Sequence, residues 1–151
     1  MELKIAATRY HDISCGHRVV GHESKCAHMH GHNYRFHFTV EVSGYAPLHT
    51  DGRDAVGRVL DFSVIKRLLC MWLEDSWDHK FLVFEEDPWA PTLQKLDPDG
   101  VVLVPFNPTA ENMAAYMLET VGPGELISTG CRLVQCTIEE TAKCSATACF
   151  R

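Results

Sequence analysis

No stretch of this sequence approaches the roughly 18 consecutive apolar residues of a membrane span. The opening MELKIAATRYHD alternates polar with apolar residues and lacks the apolar run of a secretion signal. A cytoplasmic location is therefore expected. Positive charge is scarce as well, since 14 Lys and Arg stand against 20 Asp and Glu for a net charge of −6. That balance argues against a general nucleic-acid surface, which needs a basic face, though a local basic pocket could still hold a small phosphorylated ligand. No CxxC pair occurs, and the seven cysteines are odd in number, so they read as reduced thiols, mostly small buried hydrophobes. Repeats, low-complexity tracts and interdomain linkers are missing too. What is left is an ordinary globular composition, 46% apolar, in 151 residues, enough to bury a core as a single domain over 1–151.

Periodicity divides the chain. Residues 3–13 alternate and read as a strand running on toward His17, and NYRFHFTVEVS sets Tyr34, Phe36, Phe38, Val40 and Val42 on one face of a second. A polar loop follows. Asp61 then caps a helix whose Phe62, Ile65, Leu69 and Trp72 recur at helical spacing. EEDPWAPTLQKLDPDG reads as mostly loop with at most a short helical turn, and VVLVPF as a short buried strand. NPTAENMAAYMLETVGPG starts on an Asn-Pro helix signal and stops at Gly122-Pro123. CRLVQCTIEE and CSATACFR close the chain as two strands with a tight connection near Lys143. The order is an α+β one, an antiparallel sheet with helices on one face.

Histidine is the unusual residue, nine in all with seven between His11 and His37. In KCAHMHGHNY, His30 and His32 project to the same side of an extended chain, and Gly31 removes the side chain that would crowd the other face. Imidazole nitrogens suit zinc, and a catalytic zinc keeps three protein ligands with a fourth position open. His17 is the natural third donor if the first two strands pair as a hairpin. His11, His22, His28 and His37 compete, and spacing alone does not exclude His28. Taken alone, HGH could equally be a surface pair. A cupin-like site would need a glutamate a few residues on, where Asn33, Tyr34, Arg35 and Phe36 stand.

Four further residues carry possible chemistry. Cys26, four residues before His30 and next to Lys25, sits where a thiolate is favoured by nearby cations, although it could be a fourth metal ligand or a plain buried thiol. Asp78 beside His79 could orient that ring for proton transfer, or be a solvated helix-end pair. Glu140 interrupts the apolar face of Val134, Cys136 and Ile138, where an acid could hold a ligand with two adjacent N–H donors or could merely end a strand.

Together CGHRV, KCAHMHGHNY, VLDFSVIK, WDHKFL, NPTAEN and EET, in that order over residues 15–141, resemble the 6-pyruvoyltetrahydropterin synthase superfamily. The likeness is to its bacterial 6-carboxytetrahydropterin synthases of queuosine biosynthesis. It implies a tunnelling fold, β-β-α-α-β-β, with a four-stranded antiparallel sheet and two helices per subunit. Subunits assemble into a barrel, commonly a homohexamer, with active sites between them. It also implies that His17, His30 and His32 bind Zn2+, that Cys26, Asp78 and His79 are catalytic, and that Glu140 and Thr109 contact a pterin. The implied reaction is a lyase-type conversion of 7,8-dihydroneopterin triphosphate to 6-carboxy-5,6,7,8-tetrahydropterin with release of triphosphate and acetaldehyde. Arg18 and Lys25 are the nearest candidates for triphosphate contacts. Cys15 departs from the small apolar residue usual there, and segments 44–58 and 84–104 look long. The spacing of Cys26 and His30 matches the carboxy-forming type. A pyruvoyl-forming enzyme, a side-chain cleavage toward a folate precursor and a non-catalytic zinc-binding module are the alternatives.

Overall fold

The computed structural model describes residues 3–43 and 51–151, so residues 44–50 of the loop expected over 44–58 lie outside the described residues. Strand β1 (Ala7–His17) pairs antiparallel with β2 (His30–Val42), in a register that sets His17 opposite His30, Cys15 opposite His32 and Ile13 opposite Tyr34. The alternation read from the sequence holds: Tyr34, Phe36, Phe38 and Val40 are wholly buried. Two longer helices cover that face. The first, α1, runs through Phe62–Ile65, Lys66–Cys70 and Met71–Ser76, its middle stretch wound wide as a π-helix. Asp61 caps it as expected, its side chain accepting from the Ser63 N–H.

Phe81–Phe84 forms β3, a strand absent from the sequence reading, parallel to β1, and the expected short strand at Val101–Val104, β4, runs parallel to β3. The Pro-rich segment between them is mostly turn, as expected, but its short helical turn is a two-turn helix, α2 (Ala90–Leu96), with proline in its first turn. The last helix, α3, runs through Ala110–Tyr116, Met117–Val121 and Gly122–Glu125, so it passes beyond Gly122-Pro123 by one turn. With β5 (Cys131–Thr141) and β6 (Cys144–Cys149) the sheet has the order β4-β3-β1-β2-β5-β6. It is six-stranded and mixed in place of the four-stranded antiparallel sheet expected. The four strands of the expectation form its antiparallel part, and β3 and β4 extend it past β1. Among the described residues, no helix is long and apolar enough to cross a membrane.

One buried ion pair fixes the loop that joins β1 to β2. Arg18, next to His17, donates through Nε and Nη2 to both oxygens of Asp87 at 2.5 and 3.0 Å. It also donates to the Ala27 carbonyl at 3.1 Å and lies over the Trp89 ring at 3.5 Å from its centre. Its three donor nitrogens are thus engaged within the protein and the side chain is buried, which argues against the triphosphate contact suggested above. Burial alone would raise the Asp87 carboxyl, but hydrogen bonds from Arg18 and the Trp89 N–H outweigh it and hold the carboxyl below its ordinary 3.8. Asp87→Ala would strand the buried guanidinium and should lower the unfolding free energy at neutral pH by about 3–5 kcal/mol, read from the urea midpoint. A carboxyl depressed in the fold stabilises fully above its unfolded value and ceases to do so as pH falls through the folded one. The difference between wild type and Asp87→Ala should therefore shrink as the medium is acidified below 3.8.

Candidate active site and metal centre

The β1–β2 register brings three imidazoles together on the helix-covered face of the sheet. One ring nitrogen each of His17, His30 and His32 lies within 4.8 Å of the other two. Two of the rings are held in one tautomer. His17 Nδ1–H donates to the Pro108 carbonyl at 2.6 Å, and His30 Nδ1–H donates to the His28 carbonyl at 2.8 Å. Each bond leaves an Nε2 lone pair directed inward, and these two nitrogens stand 3.1 Å apart. His32 Nε2 is buried without a hydrogen-bond partner among the described residues. Buried polar atoms are almost always paired, so an orphan facing two lone pairs marks a place for an electrophile. Backbone carbonyls fixing ligand tautomers is the usual support of a metal-binding histidine. Burial lowers the pKa of His17 below its ordinary 6.5, the Pro108 hydrogen bond opposing it in part, and burial likewise lowers that of His32. Neutral rings are the form that binds metal. The donor set fits a metal ion.

The competing histidines are engaged elsewhere. His11 Nε2 meets Glu74 Oε1 at 2.7 Å, His37 Nε2 meets Glu139 Oε2 at 2.5 Å, His22 Nδ1 accepts from the Ser24 N–H, and His28 is exposed. Glycine at position 31 serves a closer approach than its alternation implied. Gly31 lies opposite Gly16, and a Cβ on Gly31 would come within 3.0 Å of the Cys15 carbonyl oxygen.

Glu140 belongs to this cluster. Its Oε1 is 3.6 Å from His32 Nε2 and 3.7 Å from His17 Nε2, and it accepts from the Tyr34 hydroxyl at 3.4 Å. Tyr34 was read only as core, yet its hydroxyl also lies 3.3 Å from the His17 ring nitrogens. Burial first, then the nearby charges of Cys15 and Glu140, pushes that hydroxyl well above its ordinary value, so it stays a donor. Cys26 sits half-exposed in the 3-10 turn Lys25–Ala27, its carbonyl accepting from the Val19 N–H at 2.8 Å. Cys15, Cys70, Cys131 and Cys136 are buried as expected, and burial pushes Cys15 and Cys136 up to about 12. Cys144 and Cys149 are exposed.

Asp78 and His79 lie elsewhere. Asp78 accepts from the Ser14 N–H at 2.9 Å and pairs with His79 Nδ1 at 2.9 Å. The His79 N–H donates to the Ser14 carbonyl at 2.7 Å, which holds His79 at φ 61, the one non-glycine positive φ among the described residues. Backbone strain of that kind gathers at functional positions. Both residues border a cavity of about 580 Å³ on the opposite, polar face of the sheet, with Ser14, Asn33, Arg35 and Glu139. A single chain therefore brings Glu140 to the histidine triad but keeps Asp78–His79 apart from it.

The NPTAEN segment works mainly through its backbone. The Asn107 side chain grips both the N–H and the carbonyl of Val20, the Pro108 carbonyl holds His17, and Thr109 caps α3 by accepting from the Asn112 N–H at 3.1 Å. Side-chain identity gives no sign of a carbonyl contact, which is why Pro108 escaped the sequence reading.

The model of the family described as 6-pyruvoyl tetrahydropterin synthase matches residues 6–149. A 6-carboxy-5,6,7,8-tetrahydropterin synthase of Rickettsia typhi is 28% identical over 93% of this chain and 96% of its own. One from Haemophilus influenzae is 34% identical over 74% of this chain and 78% of its own. In fold, an uncharacterized Wolinella succinogenes protein superposes with a TM-score of 0.78 at 20% identity, covering 97% of this chain and 98% of that one. The Caenorhabditis elegans 6-pyruvoyl tetrahydropterin synthase gives 0.66 at 22% identity, covering 100% and 99%. The family match over nearly the whole chain, joined to curated enzyme relatives of almost equal length, makes this chain an enzyme of the 6-pyruvoyl tetrahydropterin synthase family.

Proposed function

We propose that the chain, a single domain over 1–151, converts 7,8-dihydroneopterin triphosphate and water to 6-carboxy-5,6,7,8-tetrahydropterin, triphosphate and acetaldehyde. Its setting would be the queuosine, or 7-deazaguanine, pathway in the cytoplasm. The observation that carries the reading is the convergence of three histidine nitrogens beside Glu140, in a chain whose curated relatives bear that synthase name.

Zinc is the ion that an all-imidazole, three-ligand set with an open position suits best. Bound there by His17, His30 and His32, it would supply Lewis acidity toward the hydroxyls of the substrate side chain. The chain's own groups do the rest. Glu140 accepts from the amino and ring N–H groups of the pterin, with the Tyr34 hydroxyl holding its carboxylate in place. Thr109 retains its hydroxyl hydrogen for a pterin contact while its oxygen caps α3. Cys26 as thiolate removes a carbon-bound proton, and His79, oriented by Asp78, returns protons along the side chain. Lys25, exposed beside Cys26, is available to the triphosphate.

This division requires two chains. Because the triad and His79 occupy opposite faces of one sheet, a neighbouring copy must present its Asp78–His79 to the triad, which agrees with active sites shared between subunits of a homohexamer. Mass analysis of products from the triphosphate tests the reaction. A product that keeps the full three-carbon side chain would mean the pyruvoyl-forming activity instead.

Purified protein should carry about one zinc per chain, the value for a single three-ligand site. His30→Ala or His32→Ala should abolish it, as read by metal analysis. Cys26→Ala should keep its zinc and its melting temperature yet turn over about 10²–10⁴-fold more slowly, the range for loss of a positioned proton-transfer group. If zinc leaves with the thiol, Cys26 is a ligand. His30→Ala and His79→Ala chains, each inactive alone, should recover activity when unfolded and refolded together, since a mixed assembly rebuilds intact shared sites. Failure to complement, or an active monomer in light scattering, would contradict the shared site.

A further inference from the structure

The loop between β1 and β2 carries Cys26, and its anchor reaches a segment that the proposed reaction does not use. Three consecutive carbonyls of this loop accept hydrogen bonds. That of Cys26 accepts from the Val19 N–H at 2.8 Å, that of Ala27 from Arg18 Nη1 at 3.1 Å, and that of His28 from His30 Nδ1 at 2.8 Å. Of the three donors, only the Arg18 guanidinium is itself gripped by a segment remote in sequence. Its Nε and Nη2 donate to the two oxygens of Asp87, which leaves Nη1 for Ala27, and the Trp89 ring covers its face.

Asp87 is fixed as firmly. Its Oδ1 also accepts from the Trp89 N–H at 2.9 Å, its N–H donates to the Phe84 carbonyl at 2.9 Å, and its carbonyl accepts from the Ala90 N–H at 2.9 Å. These bonds close the turn that joins the end of β3 to the start of α2 and aim its carboxylate at Arg18. Strand β3 in turn pairs with β1 at Gly16 and His17, immediately before Arg18. Arg18 and Asp87 are both buried. A buried bidentate pair fixes the plane of the guanidinium and so the direction in which Nη1 points.

We propose that Arg18, set by Asp87 and Trp89, is a positioning residue for Cys26. It holds the Ala27 carbonyl, and with it the 3-10 turn Lys25–Ala27, so that the thiol keeps one place relative to β1 and β2. The effect on turnover rests on the reading of Cys26 as the group that removes a carbon-bound proton, but the effect on the turn does not. Lysine at 18 would keep the charge beside Asp87 yet lack the planar fork that spans Asp87 and the Ala27 carbonyl at once. Arg18→Met combined with Asp87→Leu removes the pair whole. Replacing a buried ion pair by apolar side chains of comparable volume is often neutral for stability, so this variant separates positioning from folding.

The experiment compares wild type, Arg18→Lys and the paired replacement as full chains, reading backbone amide exchange by NMR, metal content, melting temperature and kinetics with dihydroneopterin triphosphate. In both variants the Val19 N–H, bonded to the Cys26 carbonyl, should exchange at least about tenfold faster. The Val20 N–H, held by Asn107 at 3.1 Å, should keep its protection. The paired replacement should melt within about 5 °C of wild type, so the test survives even if Arg18→Lys does not fold. Metal content should match wild type. Turnover should fall about 10–100-fold in kcat, the scale of loss from displacing a reacting group by about 1 Å, with KM within about twofold because Glu140 and Thr109 are untouched. Unchanged exchange at Val19 would overturn the proposal, and so would faster exchange with an undiminished kcat. Metal lost together with activity would overturn it too, because Arg18 would then act through His17 and not through Cys26. Should wild type leave the triphosphate untouched, the functional reading fails, and the Val19 exchange still decides whether Arg18 holds the turn.

Discussion

The antiparallel register of β1 against β2 is the constraint on which the site depends. In an antiparallel pair, residues set opposite each other share a face, so fixing His17 against His30 and Cys15 against His32 decides which imidazoles can meet. A slip of one residue would send His30 and His32 through to the polar face, away from His17. Two features resist such a slip. The buried row Tyr34, Phe36, Phe38 and Val40 has to face the helices, and the Gly16–Gly31 pair permits a backbone approach at this point that side chains would block. Register is thus set by apolar burial along most of the strand, and the metal ligands at its end inherit the result.

Burial alone would leave the rings free to turn. Their orientation comes from carbonyls on other segments: Pro108 before α3, which holds His17, and His28 in the loop, which holds His30. Those carbonyls are in turn fixed, by Asn107 gripping Val20 and by Arg18 tying Ala27 to Asp87. The result is a support in which ionic and backbone hydrogen bonds surround a group of neutral, inward-directed nitrogens.

Much of this was legible beforehand, for definite reasons. The half-buried strand at 33–43 and the helix after Asp61 have strong periods, and HGH brings two ligands to one side through alternation alone. His17 needed the hairpin, which the sequence could suggest but not register. FLVF was passed over because a four-residue strand, paired in parallel and apolar throughout, shows no alternation. In EEDPWAPTLQKLDPDG the expected short helical turn extends to Ala90–Leu96, a length hidden because three prolines punctuate the segment and two turns give no apolar stripe. Glu140 was seen as an odd acid on an apolar face, but its partners Tyr34 and the triad are more than a hundred residues away in sequence and close only in the fold. The face on which His79 opens could not be read at all, since it follows from β3 joining the sheet beside β1.

Strand β1 serves both faces of the sheet over four consecutive residues. A half-buried strand ordinarily leaves every second position open to drift, and divergent relatives record that freedom. Here Cys15 and His17 point into the histidine cluster, Gly16 meets the Phe81 ring so closely that a Cβ would lie 2.6 Å from it, and Ser14 is bonded through its hydroxyl to Asn33. The period-two pattern of tolerance therefore breaks down at 14–17. Substitution in this strand is expected to be tolerated only in its first half, where Thr8 and Tyr10 face outward.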